Sequence, residues 1–425
     1  MSQRKSVIIT FKPKDQRSDR QSDKVQIVRN ALTKGTRVQF FDAATFVGTA
    51  GRPVPEDQLI GYDVNRYEAP IVSARLTESE IQALRSNGDV ARVEDDTPCY
   101  AAGYGPYRHL QYCQAWPVAT ETIPDGVKQV NAPAAWSTSR GKGIRVAVLD
   151  TGIDFNHPDL KSNYVDGVSF VKGAPTPMDD HCHGTHCAGT IAAATNGAGV
   201  VGVAPEASLY AVKVLDKNAS GLFSWSIAGI DWCIKNHMHI VSMSLGCDTV
   251  PDALELICNA AWSKGLLIVA GAGNQEANPV PPQQSNVDYP ARYKNVVAVS
   301  SVDANDMIAP NSGRGPEVDL CAPGVDVLST LPNGNYGKMS GTSVACPHVS
   351  GVAALTWGAH PSSDNERIWN LIASTADDLG IPGPDSKYGY GRVNAAGASC
   401  ASHPTPVVPK RGIWSCNEGE HASCD

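Results

Sequence analysis

The stretch HCHGTHCAGT (181–190) packs His181, Cys182, His183, His186 and Cys187 into seven residues. Two chemistries compete for it. Soft donors at this density could hold a zinc ion, which would make the chain a metal-dependent hydrolase. Cys182 and His183 are adjacent, however, and cannot easily converge with His186 on one tetrahedral ion. Alternatively, one histidine acts as a proton acceptor for a nucleophile supplied from elsewhere. Two further segments favour that reading. IRVAVLDTGID ends an apolar run on Asp150, and GTSVACPHVSGVAAL places Ser343 behind Gly341 at the start of a helical pattern. A hydroxyl is a weak nucleophile until an imidazole takes its proton, and the imidazole needs a carboxylate to fix its tautomer. A serine at a helix start also has its own N–H unpaired, in the positive end of the helix field. Taken singly, an Asp at a strand end reads as a loop cap and GTS as an N-cap. DTG is also used by aspartic proteases, but it occurs once here and DSG is absent.

The elements that must position these residues are legible in outline. IRVAVLD, ASLYAVKVL, HIVSMSL, GLLIVAGAG and NVVAVSSV are short apolar runs rich in β-branched residues. Helical patterns such as FSWSIAGIDWCIKN and DALELICNAAWSKG lie between them. Continuous apolar strands with helical crossovers predict an α/β fold, a doubly wound, mostly parallel sheet with helices on both faces. Sites in such folds form at the carboxyl ends of strands. Before about residue 100 the chain reads differently. SVIITFK, RVQFF, APIVSARL and VARVEDD are strands, and 23–33 and 77–88 are helices, the second opened by a capping box from Thr77 and Glu80. This predicts a small α+β unit over 1–98. Residues 99–120 read as a linker, 121–400 as the main domain and 401–425 as an irregular tail.

Composition bounds the function. The 425 residues are 42% hydrophobic and 18% charged with a net charge of −8, as in a globular protein without a nucleic-acid surface. No apolar run is long enough to span a membrane. MSQRKSVIITF has no apolar core of signal-peptide length. That leaves a leaderless, intracellular chain or a secreted one whose leader has been removed as alternatives. Twelve cysteines are many for a reducing compartment, yet several sit alone in apolar elements as buried thiols would. Cys187 and Cys346, each a short step beyond His183 and Ser343, read as packing thiols rather than redox controls. Cys400, Cys416 and Cys424 leave room for a tail disulfide.

VLDTGID, HGTHCAGT, SMSLG, AGN, YPARY and GTSVACPH, in this order, resemble the subtilisin-like serine proteases (subtilases) over roughly residues 120–400. The order Asp, His, Ser is the subtilisin order. The resemblance implies a serine endopeptidase working through an acyl-enzyme, with Asp150 as orienter, His183 as base then acid, Ser343 as nucleophile and Asn274 as oxyanion donor. Residues 6–98 are similar to the subtilisin-type prodomain, of ferredoxin-like fold, which acts as chaperone and as an inhibitor whose end fills the cleft. Maturation would then cut between 96 and 120, with Tyr100 the preferred residue before the cut. Ser220, Gly221 and Leu222, with Ser244, Leu245 and Gly246, would flank an extended peptide by β-augmentation. His181 would line the neighbouring subsite. Gly271, Ala272 and Gly273 would form the other pocket wall, with Asp288 at its floor inviting a Lys or Arg side chain. The alternative is an Asp288 turned into solvent. A structural Ca²⁺ would take the carbonyls of Ala194, Ala198 and Val200 with Asn196, Asp159 and Glu121; oxygen donors suit a hard cation. Glu121 stands where the family commonly has glutamine. The carbonyls of Ala291, Tyr293 and Val296 would offer a second, weaker cation site. Partners would be protein or peptide substrates and the chain's own prodomain, with a monomeric enzyme and no nucleic acid or membrane. A non-catalytic subtilase used as a binding module is the remaining alternative.

Overall fold

The computed structural model describes residues 3–17, 23–43, 46, 59–64, 70–101, 116–118, 120–247, 249–274 and 285–402. The N-terminal unit is a five-stranded sheet in the order Val38–Asp42, Leu59–Val64, Ile71–Leu76, Lys5–Phe11, Val90–Asp95. Its first two strands are parallel and the other pairs antiparallel. Two helices, Lys24–Ala31 and Glu78–Arg85, pack against it over Val7, Ile9, Phe11, Val28, Leu76, Ile81 and other buried apolar residues. Both helices start as the sequence dictates. Asp23 accepts from the Val25 N–H, and Thr77 and Glu80 close a reciprocal capping box.

The second unit is built on a seven-stranded sheet. Its order is Leu320–Pro323, Val296–Val302, Leu267–Gly271, Ile240–Met243, Arg145–Asp150, Ser208–Lys213, Tyr164–Ser169, and every neighbouring pair is parallel. Strand alternation splits its apolar side chains between two cores. Ala147, Leu149, Val241, Met243 and Ile268 pack on one face with the helices Phe223–Lys235 and Asp252–Ser263. Val146, Val148, Ile240, Leu267 and Val269 pack on the other with the helices His183–Ala192, Thr342–Ala359 and Asn365–Ser374. Burial on both faces is why these strands read as unbroken apolar runs. Among the described residues no helix is long and apolar enough to cross a membrane.

The expected linker needs one correction. Pro98–Ala101 is a strand, not an irregular segment. It lies between Ser220–Leu222 and Leu245–Gly246, antiparallel to both, and joins the two units. Residues 102–115 and the tail beyond 402, with Cys416 and Cys424, lie outside the described residues. Cys400 is free, so it forms no tail disulfide.

Candidate active site

Asp150 ends its strand at the carboxyl edge of the sheet and is fully buried. Its Oδ1 accepts from the Thr151 N–H at 2.7 Å, which fixes the carboxylate plane. The His183 Nδ1 faces both carboxylate oxygens, at 2.8 and 2.9 Å. His183 is the first residue of its helix, and Gly184 allows the close approach: a Cβ there would collide with the Gly152 carbonyl. Burial opposes charge on His183, but the Asp150 carboxylate outweighs it and holds the imidazole well above its ordinary value.

Ser343 is the second residue of the Thr342–Ala359 helix. Gly341, which precedes it, has φ +148°, a conformation that favours glycine and accounts for the G of GTS. The Ser343 carbonyl accepts from the Ser244 hydroxyl at 2.6 Å and from the Cys187 thiol at 3.5 Å. The Cys187 contact ties the serine to the helix that carries His183. Asn274 is anchored at the same turn. Its Oδ1 accepts from the Thr342 N–H at 2.8 Å, and its Nδ2 lies 2.7 Å from where a Cβ on Gly341 would stand. The amide therefore points its donors toward the start of the serine helix.

The other members of the histidine and cysteine cluster point elsewhere. His186 Nε2 bonds the Val327 carbonyl at 3.0 Å, and burial pushes its pKa down to about 3. Cys182 is in a disulfide whose partner lies outside the described residues. Among the described residues, the side-chain atoms that do converge belong to Asp150, His183 and Cys187. His181 is half-buried, its imidazole held below the ordinary value by burial and by the neighbouring His183. Cys187 and Cys346 are buried thiols, the first pushed up by burial and the second to about 12.

Three residues escaped sequence reasoning. The Asp179 carboxylate gathers the Thr151 hydroxyl, the His181 and Thr185 N–H groups and the Thr185 hydroxyl, all at 2.6–2.9 Å. Thr151 Oγ1 in turn accepts from the Gly184 N–H at 2.9 Å, locking the Asp150 turn to the start of the His183 helix. Buried Lys213 reaches Asp180 at 2.6 Å and the Thr151 carbonyl. The acidic pair just ahead of HCHGTH was the available signal, since carboxylates favour helix starts.

The strand Pro98–Ala101 pairs with Leu245–Gly246, next to Ser244, whose hydroxyl meets the Ser343 carbonyl. Cys99 pairs with Gly221; Tyr100 pairs with Ser220 and Gly246; Ala101 pairs with Leu245. Cys99 and Ala101 are buried and Tyr100 is half-exposed, so Tyr100 faces away from the enclosed side. Asp288 is buried, 4% exposed, and does not turn into solvent. Its side chain lies against Gly246 and Gly273, at which a Cβ would crowd or collide with it. Gly271, Ala272 and Gly273 lead from the strand end to Asn274, and the Ala272 carbonyl accepts from the Asp288 N–H at 2.9 Å.

Residues 141–391 match the Subtilase family. The chain belongs to the subtilase family. It is 42% identical over 329 residues to Subtilisin E of Bacillus subtilis (strain 168), covering 77% of this chain and 80% of that protein. It is 43% identical over 333 residues to the Thermostable alkaline protease of Halalkalibacterium halodurans, 78% of this chain and 84% of that one. Subtilisin of Bacillus pumilus is 44% identical over 281 residues, 66% of this chain and 99% of that protein. This subtilase is a subtilisin-like serine endopeptidase with the α/β fold expected of the family.

Proposed function

We propose that the subtilase is made as a self-inhibited zymogen and cleaves peptide bonds through an acyl-enzyme formed on Ser343. The observation that carries the reading is the Pro98–Ala101 strand, seated between the two flanking strands as an extended peptide would be. Ser343 Oγ attacks the scissile carbonyl while His183 Nε2 takes its proton. Asp150 holds Nδ1–H and stabilises the imidazolium. Asn274 Nδ2 and the Ser343 N–H, which has no partner among the described residues, receive the oxyanion. His183 then protonates the leaving amine, and water releases the acyl group by the reverse sequence. Ala101 pairs with Leu245, the neighbour of Ser244, whose hydroxyl touches the Ser343 carbonyl. Because Tyr100 is paired one residue further from Ser244, this favours maturation beyond Ala101 over maturation after Tyr100.

The residues around 121–200 fit a calcium ion. Asp159 is buried and its carboxylate accepts from Asn196 Nδ2 and the Val200 N–H, at 2.9 Å each, and from the Tyr336 hydroxyl. Glu121 Oε1 accepts from the Asn196 and Gly197 N–H groups. Among the described residues no hydrogen bond ends on the carbonyls of Ala194, Ala198 or Val200. Three unsatisfied carbonyls beside two carboxylates and an amide are an oxygen set a hard cation would complete. The ion would brace the loop that follows the His183 helix. Around Ala291, Tyr293 and Val296 the Tyr293 carbonyl already accepts from the Val296 N–H at 3.1 Å, so any cation there is held more weakly.

The deciding experiment is Ser343→Ala with phenylmethanesulfonyl fluoride labelling of the wild type. The variant is expected to stay at full length with activity down about 10⁶-fold, and the label to map to Ser343. A variant that matures alone, or a label elsewhere, refutes the assignment. Asn274→Ala should retain maturation but lose about 10²–10³ in kcat.

A further inference from the structure

The register of the cleft strand, continued by one pair, sets two cysteines against each other. Ala101 pairs with Leu245 and Tyr100 with Gly246, so the next pair in sequence is Cys99 with Cys247. The backbone of Cys247 is committed to the other side: its N–H donates to the Tyr289 carbonyl at 3.2 Å, and its carbonyl accepts from the Tyr289 N–H at 2.9 Å. Cys99 likewise pairs away from Cys247, with Gly221. Continued past Gly246 and Tyr100, the register would make the two cysteines a non-hydrogen-bonded antiparallel pair, for which Cα atoms stand about 4.5 Å apart. That separation lies inside the roughly 4.4–6.8 Å that a disulfide spans. The side chains share a face by alternation, Cys247 with Leu245 and Cys99 with Ala101. Cys99, Ala101 and Leu245 are buried in one core, and Cys247 packs at its margin. Neither cysteine is in a disulfide, and Cys99 contacts Ser226 Oγ at 3.7 Å.

We propose that Cys99 and Cys247 are an oxidation site whose disulfide bolts the cleft strand into the enzyme, and that the co-reactant is a small-molecule disulfide of the glutathione class. Half-exposed Cys247 is the entry point. Its thiolate attacks one sulfur of the oxidant, forming a mixed disulfide and expelling one thiol. Cys99 then loses its proton and attacks the Cys247 sulfur, expelling the second thiol. Two protein thiols are oxidised and one external disulfide is reduced to two thiols. Because Cys99 lies on the N-terminal side of the proposed cut, the link holds the inhibitory strand in place after cleavage. Thiol oxidation is not foreign to this chain, as Cys182 is already in a disulfide. The inference rests on the zymogen reading, and the test separates the two.

The test uses the full chain in oxidised glutathione or in dithiothreitol. In the Ser343→Ala chain, which stays intact, a non-reducing digest analysed by mass spectrometry is expected to contain a Cys99–Cys247 cross-linked peptide after oxidation. In the wild type, oxidation is expected to slow the appearance of peptidase activity at least tenfold, with recovery in dithiothreitol. Cys99→Ser and Cys247→Ser should each activate equally fast in both conditions. Absence of the cross-link, a cross-link without slower activation, or slowing that persists in both serine variants overturns the proposal. Reduced wild type that is active without any restraint from residues 1–102 counts instead against the zymogen reading, and the cross-link in Ser343→Ala is still read by itself.

Discussion

At the scale of single residues, His183 and Asp288 make the sharpest commitments. Only neutral imidazole can take the serine proton, and Asp150 keeps His183 charged to well above the ordinary histidine range. The kcat/KM of the mature enzyme should therefore fall as pH drops through that raised midpoint and level off above it. Asp150→Asn removes the charge that raises it, so the midpoint should move down while kcat falls about 10⁴-fold. A profile whose midpoint does not move would separate Asp150 from the titration. Asp288 is buried against Gly246 and Gly273, so a cationic side chain entering between those walls would meet a carboxylate in a partly dehydrated site. Peptides differing only in the residue before the cut should show the consequence. Asp288→Asn is expected to lower the Lys-to-Phe ratio of kcat/KM by about tenfold, ~1.4 kcal/mol. The reacting residues were legible because each sits at a strand end or helix start beside a glycine, a local pattern. Burial of Asp288 and the gathering role of Asp179 were not, since both depend on segments that meet only in the fold.

At the scale of elements, two helices of the second unit borrow their caps from the first. Phe223–Lys235 and Asp252–Ser263 follow Leu222 and Pro251, neither of which supplies a side-chain cap. Instead Asp96 accepts from the Ser224 N–H at 3.0 Å and its hydroxyl at 2.7 Å, and Glu94 accepts from the Asp252 N–H at 2.9 Å. Carboxylates at helix starts contribute about 0.5–2 kcal/mol each. Glu94→Ala in a fragment of residues 1–102 should thus weaken inhibition of the mature enzyme, raising Ki about three- to thirtyfold. An unchanged Ki would mean that the cap contributes nothing to binding. Most elements were readable, the parallel strands from their apolar runs and the N-terminal helices from their caps. Pro98–Ala101 was missed because nothing local makes PCYA a strand. It is one only by pairing with residues more than a hundred positions away.

At the scale of the whole molecule, the cation proposal links loop and stability. An ion that binds only the folded state at a hundred times its Kd adds about 2.7 kcal/mol. Millimolar Ca²⁺ should therefore raise Tm by roughly 3–5 °C, and Asp159→Ala should abolish the response; a wild-type Tm indifferent to chelator would remove the site. The cleft strand has one more consequence. When it departs, it leaves two facing sheet edges with a gap one strand wide, since neighbouring strands stand about 4.8 Å apart. Whatever refills that gap must free backbone groups along both of its sides, which a residue inside a helix or a paired strand cannot do. The enzyme would then discriminate by the shape of its target before its sequence: unravelled chains and loose loops are digested, while a well-folded protein, its own body included, is passed over.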